Sequence, residues 1–186
     1  MIKMTEIGEI LNEIRTITEF VIVGDTIVDV TLKRKGTESD VDIFPTTISA
    51  FADEDVIRNF AYSNGWDFGR TPIDTPRIVV ELDEGQLQLD FYDNIQDFYV
   101  PSKLLDSSIE VKIGNYTFKS IPLEGYVVLK AYAYREEDED ELRSLSMILS
   151  EKNIRIEVDK ITSFSELFED STQSIVKRLK NLGIIR

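Results

Sequence analysis

The 186-residue chain contains no histidine and no cysteine. Without histidine there is no imidazole general base and no Ser-His-Asp triad. Without cysteine there is no thiol nucleophile, no disulfide framework and no iron–sulfur cluster, and the two absences together remove the usual zinc ligands. Basic residues are scarce as well. Lys and Arg number 21 against 35 Asp and Glu, a net charge of −14, which is poor material for a broad nucleic-acid-binding face. Nor is there any apolar run near the roughly 18 residues of a membrane span, and residues 1–15 are charged throughout, with no apolar signal core. A soluble, cytoplasmic protein with no membrane partner is expected. What remains for chemistry is hard oxygen, the donor type that suits Mg²⁺, Mn²⁺ or Ca²⁺.

With 42% hydrophobic residues the chain can bury a core. Ile7, Ile10, Leu11, Ile14 and Ile17 recur at helical spacing and predict an amphipathic helix over 4–17. The run EFVIVG (19–24) predicts a buried strand entering a tight turn at Gly24, and SDVDIFP (39–45) a second strand, ended by Pro45. Residues 53–65 read as a helix. The clearest local signal is 76–94, two strand-like runs around Asp83-Glu84-Gly85; a smaller hairpin turns at Gly114-Asn115. Beyond Pro122 the character changes to helices over about 122–135, 138–150 and 164–182. The expected fold is α+β, with a core at 1–121 and a helical C-terminal subdomain at 122–186.

Asp40 and Asp42 stand two apart in the second predicted strand, so both side chains leave one face while Val41 and Ile43 leave the other. Leu87, Leu89 and Phe91 likewise alternate with Gln86, Gln88, Asp90 and Tyr92. If the two strands are neighbours, Asp40, Asp42 and Asp90 converge. Packed carboxylates repel until a cation neutralises them, and paired divalent ions can align a hydroxyl, a phosphate and a leaving group. An Asp-x-Asp in so acidic a chain can equally be solvated surface.

The order of these segments, VIVGDT (21–26), ESDVDIF (38–44) and LQLDFYD (87–93), resembles the nucleotidyltransferase superfamily typified by DNA polymerase beta. A strand leads to a glycine turn, an acid-x-acid pair follows, and a third acid comes on a later strand. The stretch IPLEGYVVLKAYAYREEDEDELRSL (121–145) is similar to a segment of small prokaryotic nucleotidyltransferases of the abortive-infection and toxin–antitoxin type. The resemblance implies a mixed β-sheet flanked by helices and Mg²⁺- or Mn²⁺-dependent transfer of a nucleoside monophosphate from a triphosphate to a hydroxyl. It implies metal binding and catalysis at Asp40, Asp42 and Asp90, and nucleotide contacts at Gly24, Thr26 and Lys130. The acceptor stays open between RNA (a tRNA end), a protein and a small molecule. Asp25 departs from the family's usual Ser or second Gly, with Thr26 able to supply the missing hydroxyl. The alternative is a catalytically inactive binding or assembly module on the same fold. Lys33, Arg34 and Lys35 could meet a triphosphate or lie in a solvated loop, and Lys130 could equally be an ordinary ion-pair partner of Glu124 or Asp138.

Overall fold

The computed structural model describes residues 1–38, 40–95 and 98–185. It packs as two units, Met1–Tyr99 with Ser108–Ile121, and Val100–Ser107 with Pro122–Arg186.

In the first unit the helical spacing of the N-terminal isoleucines forms α1 (Met4–Ile14), preceded by β1 (Ile2–Lys3). Ile7, Ile10, Leu11 and Ile14 form its buried face. The apolar run that follows is β2 (Phe20–Ile22), with all three residues buried. Residues 25–39 defy assignment from pattern; they contain α2 (Thr26–Thr31) and β3 (Gly36–Thr37), which pairs with β1. Next come β4 (Val41–Pro45), α3 (Glu54–Ser63), β5 (Asp67–Arg70), β6 (Pro76–Leu82), β7 (Gly85–Phe91), β8 (Ile109–Ile113) and β9 (Tyr116–Ser120). Ser39, expected to open the second strand, lies outside the described residues.

Seven strands form one mixed sheet in the order β5-β6-β7-β4-β2-β9-β8. The β4–β7 and β2–β9 pairs are parallel and the others antiparallel. β2 lies within this sheet, and its uninterrupted apolar sequence fits a strand covered on both faces. β7 buries Leu87, Leu89 and Phe91 on one face. Asp93, just beyond β7, accepts hydrogen bonds from Ser49 Oγ (2.6 Å) and the Phe51 N–H (2.8 Å), which ties the segment after β4 to the end of β7. Trp66 packs edge-to-face on Phe60 at the end of α3, ring centroids 5.6 Å apart.

The second unit is helical: α4 (Ser102–Asp106), α5 (Leu123–Ala133), α6 (Glu136–Glu151), α7 (Val158–Ser165) and α8 (Thr172–Asn181). The single helix expected over 164–182 is corrected to a break. A 3₁₀ segment, Glu166–Ser171, separates α7 from α8, with Glu169 at φ +44°. The Thr172 hydroxyl helps hold the break by donating to the Glu169 carbonyl at 2.6 Å. The acidic run after Arg135 opens α6, where four acids in the first turn complement the helix dipole. The fold is therefore α+β, a seven-stranded mixed sheet flanked by helices with a helical C-terminal part.

Candidate active site

Strand register assembles the acidic cluster. In the parallel pair β4–β7, Asp42 lies opposite Asp90; in the antiparallel pair β6–β7, Asp90 lies opposite Arg77. Adjacent strands are about 4.8 Å apart, so Arg77, Asp90 and Asp42 form a row across three strands. Asp40 precedes β4 rather than standing in it.

The row is held together by a cation from the chain itself. Arg77 donates from Nε to Asp90 Oδ1 and from Nη2 to Asp90 Oδ2, both at 2.6 Å, and from Nη2 to Asp40 Oδ2 at 3.2 Å. Asp90 is only 2% exposed, so an unpaired carboxylate there would be costly. The bidentate fork supplies the partner and keeps Arg77 firmly protonated, first through its hydrogen bond to Asp90. Burial, then the charge of Asp90, pushes the Asp40 carboxyl above its usual value; Arg77 acts against both, and Asp25 adds to them. The Tyr92 hydroxyl donates to Asp90 Oδ2 at 3.3 Å, and its ring stacks on Phe98 at 4.2 Å. Burial and the charges of Asp42 and Asp90 hold the Tyr92 phenol far above its ordinary pKa, so it stays a hydrogen-bond donor.

Gly24 lies against this row. The Val23 N–H donates to the Asp42 carbonyl at 3.0 Å, and the Asp42 carboxylate comes so close to Gly24 that a Cβ there would collide with it. The next turn runs directly into α2, where the Asp25 carbonyl accepts from the Val28 N–H at 2.8 Å. Thr26 is buried, and its hydroxyl has no hydrogen-bond partner among the described residues.

The expected site residues therefore fall in two places. Gly24, Thr26, Asp40, Asp42 and Asp90 belong to the sheet unit. Lys130 belongs to the helical unit, where its ammonium pairs with Asp138 at 3.2 Å and with Glu141. Of its two expected ordinary partners the structure selects Asp138, not Glu124, which instead accepts from the Glu157 N–H at 3.1 Å. Of the basic run, Arg34 binds the buried Asp29 at 2.7 Å. Arg77 and Tyr92 are the polar neighbours that pattern reading overlooked.

The donor set, three carboxylates of hard oxygen beside a glycine turn, has the chemistry to hold Mg²⁺ or Mn²⁺. As arranged here, Arg77 Nη2 lies between Asp40 and Asp90, and no three acidic side chains among the described residues are gathered closely enough to hold an ion. The residues fit a metal in kind, and Arg77 stands among them.

A mixed sheet that presents acids on adjacent strands beside a glycine turn defines a nucleotidyltransferase-like protein. Residues 3–181 match the family described as nucleotidyl transferase of unknown function (DUF2204), and the chain belongs to that family. No curated protein matches it. No helix among the described residues is long and apolar enough to cross a membrane.

Proposed function

We propose that the protein is a Mg²⁺-dependent nucleotidyltransferase that moves a nucleoside monophosphate from a triphosphate to a hydroxyl acceptor. The observation that carries this is the register of Asp42 and Asp90 on neighbouring parallel strands beside the Gly24 turn. Asp40, Asp42 and Asp90 would hold the divalent ions, which when bound would neutralise the phosphates and lower the pKa of the acceptor hydroxyl. The acceptor oxygen forms a bond to the α-phosphorus as the bond to the β-phosphate bridging oxygen breaks, and pyrophosphate leaves. Asp90 assists removal of the acceptor proton. Gly24 leaves room for Asp42 against the turn, and the unpartnered Thr26 hydroxyl would donate to a phosphate oxygen once a nucleotide reshapes that turn. Lys130 is a phosphate contact by the family resemblance, and such a contact would compete with its pairs with Asp138 and Glu141. The work is positioning and charge neutralisation, for which no histidine is needed.

The acceptor class includes RNA, a protein and a small molecule, with a toxin–antitoxin role where the acceptor is RNA or protein. The test offers labelled nucleoside triphosphates with Mg²⁺ or Mn²⁺ to total RNA, cell extract and the protein itself. Transfer should fall at least about a hundredfold in Asp42→Asn and Asp90→Asn, with the fold intact by circular dichroism. Full transfer by Asp90→Asn would refute the mechanism.

One observation favours a second reading. Arg77 already satisfies Asp90 and reaches Asp40, as in a site whose metal has been exchanged for an internal cation, and Asp25 stands where the related turns carry Ser or Gly. An inactive module of this kind would show no coupled binding of Mg²⁺ with any triphosphate in calorimetric titration.

A further inference from the structure

We propose that Arg77 and a divalent cation are alternative occupants of one site, so that Arg77 must let go of Asp90 and Asp40 before the carboxylates can take a metal. This deepens, and rests on, the nucleotidyl-transfer function proposed above.

Three observations on the sheet support it. The first is saturation. Both Asp90 oxygens accept from the guanidinium at 2.6 Å, and Oδ2 also accepts from Tyr92, so the carboxylate has little left to offer an ion while Arg77 is in place. The second is necessity. Asp90 is buried and faces Asp42 across the sheet with Asp40 nearby, so the charge gathered there calls for a cation, or a proton in its place, whenever Arg77 is away. While in place, Arg77 supplies that cation from the opposite position on β6. The third is freedom to leave. The Arg77 side chain keeps 22% of its surface exposed, against 3% for Asp90, so the head group can turn toward water while the carboxylate cannot. Arginine is the side chain suited to such a double role, because its fork matches a carboxylate and a phosphate equally well. Displaced from Asp90, it is chemically suited to bind a phosphate oxygen of the arriving triphosphate.

Such competition lowers the apparent metal affinity by the fraction of molecules in which Arg77 has let go. It also couples metal and nucleotide, since a triphosphate that offers Arg77 a new partner favours the released state.

The test measures Mn²⁺ binding to the full chain by loss of the free-ion electron paramagnetic resonance signal, for wild type, Arg77→Ala, Arg77→Gln and Arg77→Lys. Thermal denaturation in EDTA and in excess Mn²⁺ is recorded alongside. Removing the guanidinium should tighten Mn²⁺ binding by about tenfold or more in the Ala and Gln variants. Their Tm should drop in EDTA and be restored by Mn²⁺ more than the wild-type Tm is raised. Lysine, a point charge without the fork, should fall between. Unchanged or weaker Mn²⁺ binding in a folded Ala or Gln variant overturns the competition and leaves the transferase function standing. Absence of Mn²⁺ binding from every variant overturns the metal-dependent function itself, and the competition with it.

Discussion

A methyl group is enough to disturb the site at residue 24. Gly24 takes an ordinary backbone angle, and what demands glycine there is the Asp42 carboxylate against it. Gly24→Ala must push that carboxylate or the turn aside. Overpacking of this kind costs about 1–3 kcal/mol, and a misplacement near 1 Å lowers transfer by about a hundredfold. Calorimetry and a transfer assay on the same preparation would measure both. Asp138 shows the opposite economy. It has no exposed surface, yet it accepts from the Arg135 N–H (2.9 Å) and Nε (3.1 Å) and pairs with Lys130. Burial alone would raise its pKa; the backbone and side chain of Arg135, then Lys130, outweigh burial and hold it below the usual carboxylate value. A carboxylate depressed in the folded state stabilises the fold above its unfolded pKa and stops doing so as pH falls through the folded one. That contribution should be complete at pH 7 and lost progressively below about pH 4. Asp138→Ala should cost about 2–3 kcal/mol at pH 7, since Lys130 keeps Glu141, and the difference between variant and wild type should shrink in strong acid. Acid-titrated denaturation curves of the two proteins would show it. From the sequence, Asp138 was one of two possible partners of Lys130; its full burial and its hydrogen bonds from Arg135 show only in the structure.

At the scale of elements, the hairpin of β6 and β7 held more information than pattern reading extracted. The turn at Asp83-Glu84 was legible, and a loop closed by Leu82 and Gly85 fixes every pair along the two strands. Counting five residues back from Leu82 and five forward from Gly85 sets Arg77 opposite Asp90. The cation facing the buried acid was thus accessible from spacing once the turn was placed. What periodicity could not supply was the partner of β7 on its other side, because the parallel β4–β7 contact joins segments more than forty residues apart. The edge strand β5, exposed at both ends and half-buried between, left no alternation to read. The break between α7 and α8 was hidden for a different reason: helical spacing continues across it, and the chain is interrupted only by the non-helical angles of Phe168 and Glu169, the latter at positive φ. The hairpin also carries its own prediction. Gly85 sits at φ +134°, and an added Cβ would meet only the Ile2 side chain at an ordinary contact distance of 3.9 Å, so Gly85→Ala should cost about 1–3 kcal/mol through backbone strain. Chemical denaturation would measure that loss, and the slope with denaturant should be unchanged.

For the whole molecule, the acid surplus acts mainly as a diffuse field. At −14, with a sequence pI near 4.4, repulsion among exposed carboxylates opposes folding at neutral pH and low salt. Raising NaCl from about 10 to about 150 mM at pH 7 shortens the screening length and should raise Tm by about 2–4 °C if the relief is near 1 kcal/mol. The gain should shrink as pH approaches the pI; differential scanning calorimetry across a salt and pH grid would follow it. The sequence made that bulk property obvious and gave the correct fold class, because strand alternation and helical spacing are properties of segments. The pairing of Asp90 with Arg77 depends on register and on burial, and neither shows in composition.

Trp66, the sole tryptophan, resides in the sheet unit beside the end of α3, and the helical unit has none. Emission excited at the red edge of the absorption band is therefore an optical label for one unit, installed by nature. Ellipticity at 222 nm is weighted toward the helical unit, with a smaller share from α1, α2 and α3 of the sheet unit. Superimposable melting curves from the two signals would mean that the units unfold in a single cooperative event, whereas separated curves would assign a stability to each without cutting the chain.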